Sequence, residues 1–231
     1  EYVANALDKD VGLISASHVC YKNGHRLNLE RLGDLVNGSD AFYLVDDYQG
    51  CGTRQIDINA LGIDIYVAGA VKFLLGSAGV GFLFVKEDLL ENLHPTITGW
   101  FGQKASYEME IKTHEVAIDA SRFQIGTPSV SAIDESLAGV NLIKSVGIYN
   151  VEKWISYITN LVFARLTEEG FVLATPLHPE NRAAQVAIKT VDGAKVVSEL
   201  EKRGIITTTR DNNIRTAWHF YNTPEDVDAL I

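Results

Sequence analysis

A lysine and an aspartate follow two apolar runs in the first third of the 231-residue chain. Asp46 comes directly after residues 41–45, and Lys72 comes shortly after residues 63–68. Both runs are rich in Val, Ile, Leu, Phe or Tyr and are bounded by Gly, Asp or Asn, so each is predicted to be a buried strand. In open α/β sheets, ligands bind beyond the carboxyl ends of the strands. The sequence therefore predicts that the Asp46 carboxylate and the Lys72 amine emerge side by side at a site suited to acid–base or covalent chemistry.

Each of these residues also has an ordinary structural interpretation. A lysine at the junction between a strand and a turn is usually a solvated surface residue, and Asp46 could cap a helix or form a turn. A third polar segment, residues 122–128, ends in Thr127-Pro128, which could simply begin a helix. The order and spacing of the three segments together favour a functional site.

The pattern around these residues predicts the elements that would position them. Four strands are predicted at residues 11–19, 41–45, 63–68 and 81–85. A helix is predicted at residues 29–36, because apolar residues recur at helical spacing and Asn28 is a suitable N-cap. Asp57 is predicted to cap a short turn before the third strand. This alternation predicts an α/β layer with parallel strands and right-handed crossovers.

The second half of the chain has a different order of predicted helices and strands. Residues 95–128 are rich in loop-forming residues, and helices are predicted at residues 133–146 and 151–166, the second with Asn150 as its cap. Strands at residues 185–189, 205–209 and 214–221 alternate with a helix at residues 193–203, and Thr223-Pro224 begins a last helix. We therefore predict a large domain over residues 1–168 and a small α+β domain over residues 169–231.

The composition restricts the classes of partner. Asp and Glu outnumber Lys and Arg by 30 to 20, for a formal net charge of −10. Such a surface repels phosphate backbones, so nucleic acid and anionic membranes are not expected as partners. The chain has neither the apolar core of a signal peptide at its start nor an apolar run of about 20 residues, and a cytoplasmic protein is expected. Cys20 and Cys51 form no metal-binding motif.

The three segments, with a fourth near the C-terminus, resemble the class V aminotransferase family of fold-type I pyridoxal-phosphate (PLP) enzymes. This family includes cysteine desulfurases, selenocysteine lyases and kynureninase-like enzymes. Residues 45–58 resemble its aspartate segment, residues 71–85 its lysine segment, residues 122–128 its Gly-Thr-Pro turn, and residues 214–228 its C-terminal arginine and helix. The resemblance implies an α/β fold of the aspartate aminotransferase type, with an incomplete large domain and a small α+β C-terminal domain.

The resemblance also implies roles around the cofactor, pyridoxal 5'-phosphate. Lys72 would form the internal aldimine, and its released amine would shuttle a proton at the α-carbon of an amino-acid substrate. Asp46 would pair with the pyridine nitrogen and keep it protonated. Gln49 and Tyr21 would hydrogen-bond the phenolic oxygen of the ring.

Three further residues have roles by the same resemblance. Arg215 would bind the substrate carboxylate through two parallel hydrogen bonds, and Arg210 is the second candidate for this role. Thr127 would reach the cofactor phosphate of the neighbouring subunit, so a homodimer is implied. For His18, which follows the first strand, a structural role and a cofactor contact are both open.

Departures from the family pattern define the alternatives. Gly69 and Val71 stand where many members carry a serine and a histidine that touch the cofactor or its phosphate. Residues 207–213, where cysteine desulfurases carry their sulfur-accepting cysteine, contain none. The chain also begins inside the family's large domain.

The expected function is transamination or β-elimination on an amino acid. The alternatives are a desulfurase or selenocysteine lyase relative, and a non-catalytic remnant that acts as a binding or assembly module.

Overall fold

The computed structural model describes residues 2–231, and its first sheet carries the predicted site. After a short helix α1 (Tyr2–Ala6), the sheet contains β1 (Leu13–Ser17), β2 (Phe42–Asp46), β3 (Ile65–Gly69) and β4 (Gly81–Val85), in the order β1-β2-β3-β4. The first three strands are parallel, as predicted. The prediction of parallel strands is wrong for β4, which is antiparallel to β3. Residues 70–80 between them are too few for the helical crossover that a parallel partner usually needs.

Helix α2 (Leu29–Asn37) covers one face of this sheet. It begins as predicted, because the Asn28 side chain accepts a hydrogen bond from the amide of Arg31 at 2.9 Å. Its apolar stripe packs on the alternate residues of β2 and β3 that point to the same side; the cluster includes Leu29, Leu32, Val36, Tyr43, Val45, Tyr66 and Ala68. Burial of this stripe fixes the register of the strands, because a slip by one residue would turn the apolar side chains to the other face.

The opposite face of the sheet is open. Leu13 and Phe42 are paired across β1 and β2, and they are 49% and 39% exposed. Leu83 on β4 lies on the same face and is 43% exposed. Parallel strands are usually covered on both faces, so an exposed apolar face on this sheet is unusual. Asp46 lies on the same face, at the carboxyl end of β2.

The segment between the sheets contains three α-helices and a long irregular stretch. After α3 (Glu87–Leu90), residues 91–128 contain turns and three short 3-10 helices, which agrees with the predicted loop region. Helices α4 (Val130–Val146) and α5 (Ile148–Glu168) follow, separated by Gly147 at φ 87°. The prediction of Asn150 as the cap of α5 is wrong. Asn150 lies in the first turn, and its side-chain amide donates to the carbonyl of Val146 at 2.8 Å.

The second sheet is antiparallel and forms the C-terminal unit. It contains β5 (Gln185–Ile188), β6 (Thr208–Arg210) and β7 (Asn213–Ala217) in the order β5-β7-β6, with helices α6 (Gly193–Lys202) and α7 (Pro224–Leu230). The predicted strand over residues 214–221 ends early, because the amide of Asn222 donates to the carbonyl of His219 at 3.1 Å and closes a turn. Helix α7 has the predicted Thr223 cap as part of a capping box.

Helix α5 packs against both parts of the chain. Ile158, Val162 and Leu166 pack against the second sheet. Val151 and Ile155, one to two turns earlier, pack with Phe73 beyond the end of β3. The two sheets are therefore joined by a shared helix, and the predicted boundary near residues 168–170 stays a prediction. Within residues 2–231, no helix has both the length and the apolar character needed to cross a membrane.

Candidate functional site

A cleft of about 360 Å³ lies between the two sheets and contains most of the predicted site. Ser17 and Asp46 are paired at the carboxyl ends of β1 and β2. Lys72 follows the end of β3, and the arginines come from β6 and β7. The lining residues are Ser17, Val19, Tyr21, Asp46, Tyr48, Gln49, Lys72, Arg210 and Arg215. Six of the seven residues singled out from the sequence therefore line one cleft.

Thr127 is the seventh residue, and it does not line the cleft. It is exposed in the segment between a 3-10 helix (Ala120–Phe123) and α4. An exposed position is compatible with a contact to another subunit. The predicted contact of Thr127 with the neighbouring subunit stays a prediction.

Two consecutive aspartates at the end of β2 point to opposite faces of the sheet. The Asp46 carboxylate lines the cleft, and its Oδ1 accepts a hydrogen bond from the amide of Tyr48 at 2.9 Å. This is the turn-forming bond expected of an aspartate, and it fixes the direction of the carboxylate that faces the cleft. The turn and ligand interpretations of Asp46 are therefore compatible.

Asp47 is fully buried on the other side of the strand. Its Oδ1 lies 2.6 Å from Nδ1 of His18, and its Oδ2 accepts a hydrogen bond from the Tyr66 hydroxyl at 2.7 Å. This network joins the ends of β1 and β2 to the second residue of β3. His18 is 3% exposed, so the structure places it in a structural role. Sequence reasoning missed Asp47, although the alternation of faces along a strand could have indicated it.

Gln49 is held from the second sheet. Its Oε1 accepts a hydrogen bond from Nε2 of Gln185, the first residue of β5, at 2.9 Å. Gln185 occupies the carbonyl oxygen of the Gln49 amide. The two N–H groups at the other end of the amide can donate to a ligand oxygen.

The Lys72 amine lies 4.3 Å from the centroid of the Tyr48 ring. Partial burial lowers the pKa of Lys72, and the positive charge of Arg215 lowers it further. The Asp46 carboxylate raises this pKa, but the overall shift is downward. A larger fraction of the amine is therefore unprotonated near neutral pH, which is the form that attacks a carbonyl.

Arg215 is anchored by two hydrogen bonds within the protein. Its Nη1 donates to the carbonyl of Tyr21 at 2.7 Å, and its Nε donates to Oγ1 of Thr208 at 3.2 Å. A guanidinium has five N–H groups, so its Nη1 and Nη2 can still bind a carboxylate end-on. Burial, followed by the charge of Arg210, lowers the pKa of Arg215, but arginine stays charged at any physiological pH. Within residues 2–231, the side chain of Arg210 makes one hydrogen bond, from its Nη1 to the carbonyl of Thr209 at 2.7 Å.

The charge of the cleft is opposite to that of the whole chain. Three cations, Lys72, Arg210 and Arg215, face one carboxylate, Asp46, although the chain has a net charge of −10. A site of this kind attracts an anion. It also contains a nucleophilic amine and amide donors, and this set fits PLP together with an amino-acid carboxylate.

The charges around Lys72 predict how its amine titrates. We expect the pH midpoint for labelling Lys72 with an amine-reactive ester to lie below the ordinary value of 10.5. Asp46→Asn should lower the midpoint further, because the carboxylate stabilises the charged amine, and Arg215→Gln should raise it. Peptide mass spectrometry measures the labelling, with Lys153, exposed on α5, as the internal reference. A midpoint at or above 10.5, or shifts of the opposite sign, would contradict this electrostatic description.

Comparison with known proteins gives the same fold and family. The family model described as "Aminotransferase class-V" matches residues 1–230. The chain is 30% identical over its whole length to the uncharacterized aminotransferase YcbU of Bacillus subtilis strain 168, of which it covers 60%. It is 26% identical to the kynureninase of Bacillus anthracis over 97% of this chain and 54% of the relative. The chain thus spans somewhat more than half the length of these relatives.

Solved structures have the same fold. The apo cysteine desulfurase of Thermococcus onnurineus NA1 matches 98% of this chain and 60% of its own length, with a TM-score of 0.89 and 20% identity. The cystine C-S lyase C-DES, in complex with its product cysteine persulfide, matches 99% and 62% with a TM-score of 0.89 and 23% identity. A C-DES variant with glycine covalently linked to its PLP cofactor also matches. The α/β fold is therefore that of class V PLP enzymes over part of their length, and the chain belongs to the class V aminotransferase family.

Proposed function

We propose that this chain carries the PLP-binding and catalytic residues of an enzyme that acts on an amino acid by transamination or β-elimination. The observation that carries this proposal is the convergence of Lys72, Asp46, Gln49 and Arg215 on one cleft. These residues come from both sheets and are far apart in sequence. A binding module without catalysis has no physical need for an amine of lowered pKa between an acid and an arginine.

Each residue has a task that its chemistry and contacts support. When bound, PLP supplies a ring that accepts the electrons left as a bond to the substrate α-carbon breaks. Lys72 would attach the cofactor and, once released, move a proton at the α-carbon. Asp46, with one oxygen fixed by the Tyr48 amide, would hold a proton at the ring nitrogen. Gln49 and Tyr21 would donate hydrogen bonds to the ring oxygen.

The substrate carboxylate would bind to Arg215 rather than to Arg210. The two bonds that anchor Arg215 reduce the rotamer freedom that is lost when a ligand binds. We expect Arg215→Lys to weaken amino-acid binding about 10- to 100-fold, since a bidentate charged hydrogen bond becomes a single contact. Arg210→Lys should have a smaller effect. Spectral titration of the cofactor with an amino acid measures both.

The matching amine that lacks the carboxylate is the control for this prediction. Its binding should be nearly the same in the Arg215→Lys protein and in the unaltered protein. Equal weakening for the amino acid and for the amine would show that Arg215 does not bind the carboxylate.

The protein is proposed to act as a homodimer, with Thr127 of one subunit supplying a hydrogen bond to the cofactor phosphate of the other. The exposure of Thr127 outside its own cleft supports this assignment. Sedimentation of the protein and the effect of Thr127→Ala on PLP affinity test it. A monomer that binds PLP as tightly with alanine at this position would contradict it.

Persulfide chemistry on a protein cysteine is the less favoured alternative. Residues 207–213 contain β6, the turn after it and the first residue of β7, and none of them is a cysteine. Burial raises the pKa of Cys51, which makes its thiol a poor nucleophile. A β-elimination that leaves the sulfur on a small-molecule product needs no such cysteine; the reaction product of the C-S lyase neighbour is cysteine persulfide, a small molecule. Product analysis separates the reactions: a 2-oxo acid formed with amine transfer indicates transamination, and ammonia with an eliminated fragment indicates elimination.

A further inference from the structure

The ring of Tyr48 occupies the space that a side chain at position 69 would need. A Cβ built on Gly69 would lie 2.1 Å from Cε2, 2.2 Å from Cζ and 2.5 Å from the hydroxyl oxygen of Tyr48. Real Cβ atoms essentially never come this close to another atom. Gly69 is the last residue of β3 and does not have a positive φ, so its backbone conformation does not require glycine. The ring of Tyr48 is therefore what excludes a side chain from the end of β3.

Tyr48 also contacts two residues of the proposed chemistry. Its amide donates to Oδ1 of Asp46 at 2.9 Å. Its ring centroid is 4.3 Å from the amine of Lys72, within the range of a cation–π contact. The ring thus lies between the end of β3 and the lysine that follows it, and it lines the same cleft.

We propose that Tyr48 is a positioning residue of the active site: its ring, seated over the bare backbone of Gly69, supports the Lys72 amine and directs it into the cleft. This inference rests on the proposed function for its biological meaning, but the contact between the ring and the amine can be tested by itself. A flexible lysine side chain loses rotamer freedom when it rests on a fixed aromatic face. Gly69 and Tyr48 then act as one unit, in which a small residue at one position is needed for the ring at the other.

The test uses Tyr48→Phe, Tyr48→Leu and Gly69→Ala in the PLP-free protein. An aromatic face stabilises the charged amine, so Tyr48→Leu should weaken proton binding at Lys72 about two- to fivefold, and the labelling midpoint should fall accordingly. Tyr48→Phe keeps the face and should keep the midpoint. Gly69→Ala should displace the ring and reproduce the fall. The charged groups that face Lys72 from other elements, Asp46, Arg210 and Arg215, are the same in every variant.

The double variant Tyr48→Leu/Gly69→Ala gives the sharpest comparison. If the two residues act as one unit, its midpoint should equal that of Tyr48→Leu alone, because the ring is already absent. Among the PLP molecules fixed by borohydride, the share on Lys72 should also fall in Tyr48→Leu and stay high in Tyr48→Phe.

Two results would overturn the proposal. One is an unchanged midpoint in Tyr48→Leu, and the other is an equal fall in Tyr48→Phe and Tyr48→Leu, since the hydroxyl and not the ring face would then matter. If Gly69→Ala fails to fold, the comparison of phenylalanine with leucine still decides. Failure of the proposed function is recognised separately, as a failure of the unaltered protein to bind PLP on Lys72 while the midpoints behave as described.

Discussion

Lys72→Ala is expected to lower the rate of amino-acid turnover by about 10²- to 10⁴-fold, which is the usual contribution of a single acid–base group. The variant loses the amine of lowered pKa that faces Asp46 and Arg215 across the cleft. Proton transfer at the substrate α-carbon would then depend on solvent. Turnover by the unaltered and variant proteins, with PLP added, measures the effect.

A matched control and a rescue distinguish loss of chemistry from loss of fold. Lys153→Ala removes an exposed lysine from α5 and should leave turnover unchanged. A small amine added to Lys72→Ala should restore part of the rate, since it can carry the proton that Lys72 no longer carries. A Lys72→Ala protein that turns over amino acids as fast as the unaltered protein would contradict the assignment.

Asp47→Ala is expected to destabilise the fold by about 3–5 kcal/mol, although Asp47 does not line the cleft. The substitution removes a fully buried carboxylate and leaves both His18 and the Tyr66 hydroxyl without their partner. Because this network ties the ends of β1 and β2 to β3, its loss should also loosen the turn that carries Asp46. Equilibrium unfolding in urea, followed by circular dichroism, measures the change.

The neighbouring aspartate provides the matched contrast. Asp46→Ala should cost about 1 kcal/mol, the value of its single turn hydrogen bond, but should remove the acid from the cleft. Asp134→Ala, on the exposed surface of α4, should change the free energy of unfolding by less than about 0.5 kcal/mol. If Asp46→Ala destabilised the protein as strongly as Asp47→Ala, the division between a functional and a structural aspartate would be wrong.

Much of the fold was predictable because local signals agreed with it. The three parallel strands and α2 are short apolar runs with clear boundaries, and Asn28 and Thr223 cap their helices as their types suggest. The antiparallel direction of β4 was not predictable in this way. A five-residue apolar run carries no information on its direction, and the length of the connection was the only available signal.

The candidate site was predictable as a set of residues but not as a geometry. Lys72, Asp46 and Gln49 lie close to strand ends, so topology brings them together. The sequence could not show that Gln185 would hold Gln49, or that Tyr48 would fill the space beside Gly69. These contacts join distant segments, and no spacing along the chain encodes them.

The central claim is that this cleft holds PLP on Lys72. The most direct test is a visible absorption spectrum of the protein with PLP, followed by borohydride reduction and peptide mapping. The expected result is a yellow band that reduction fixes on the peptide containing Lys72. A folded protein in which reduction fixes PLP on a different lysine, or on none, would contradict the claim.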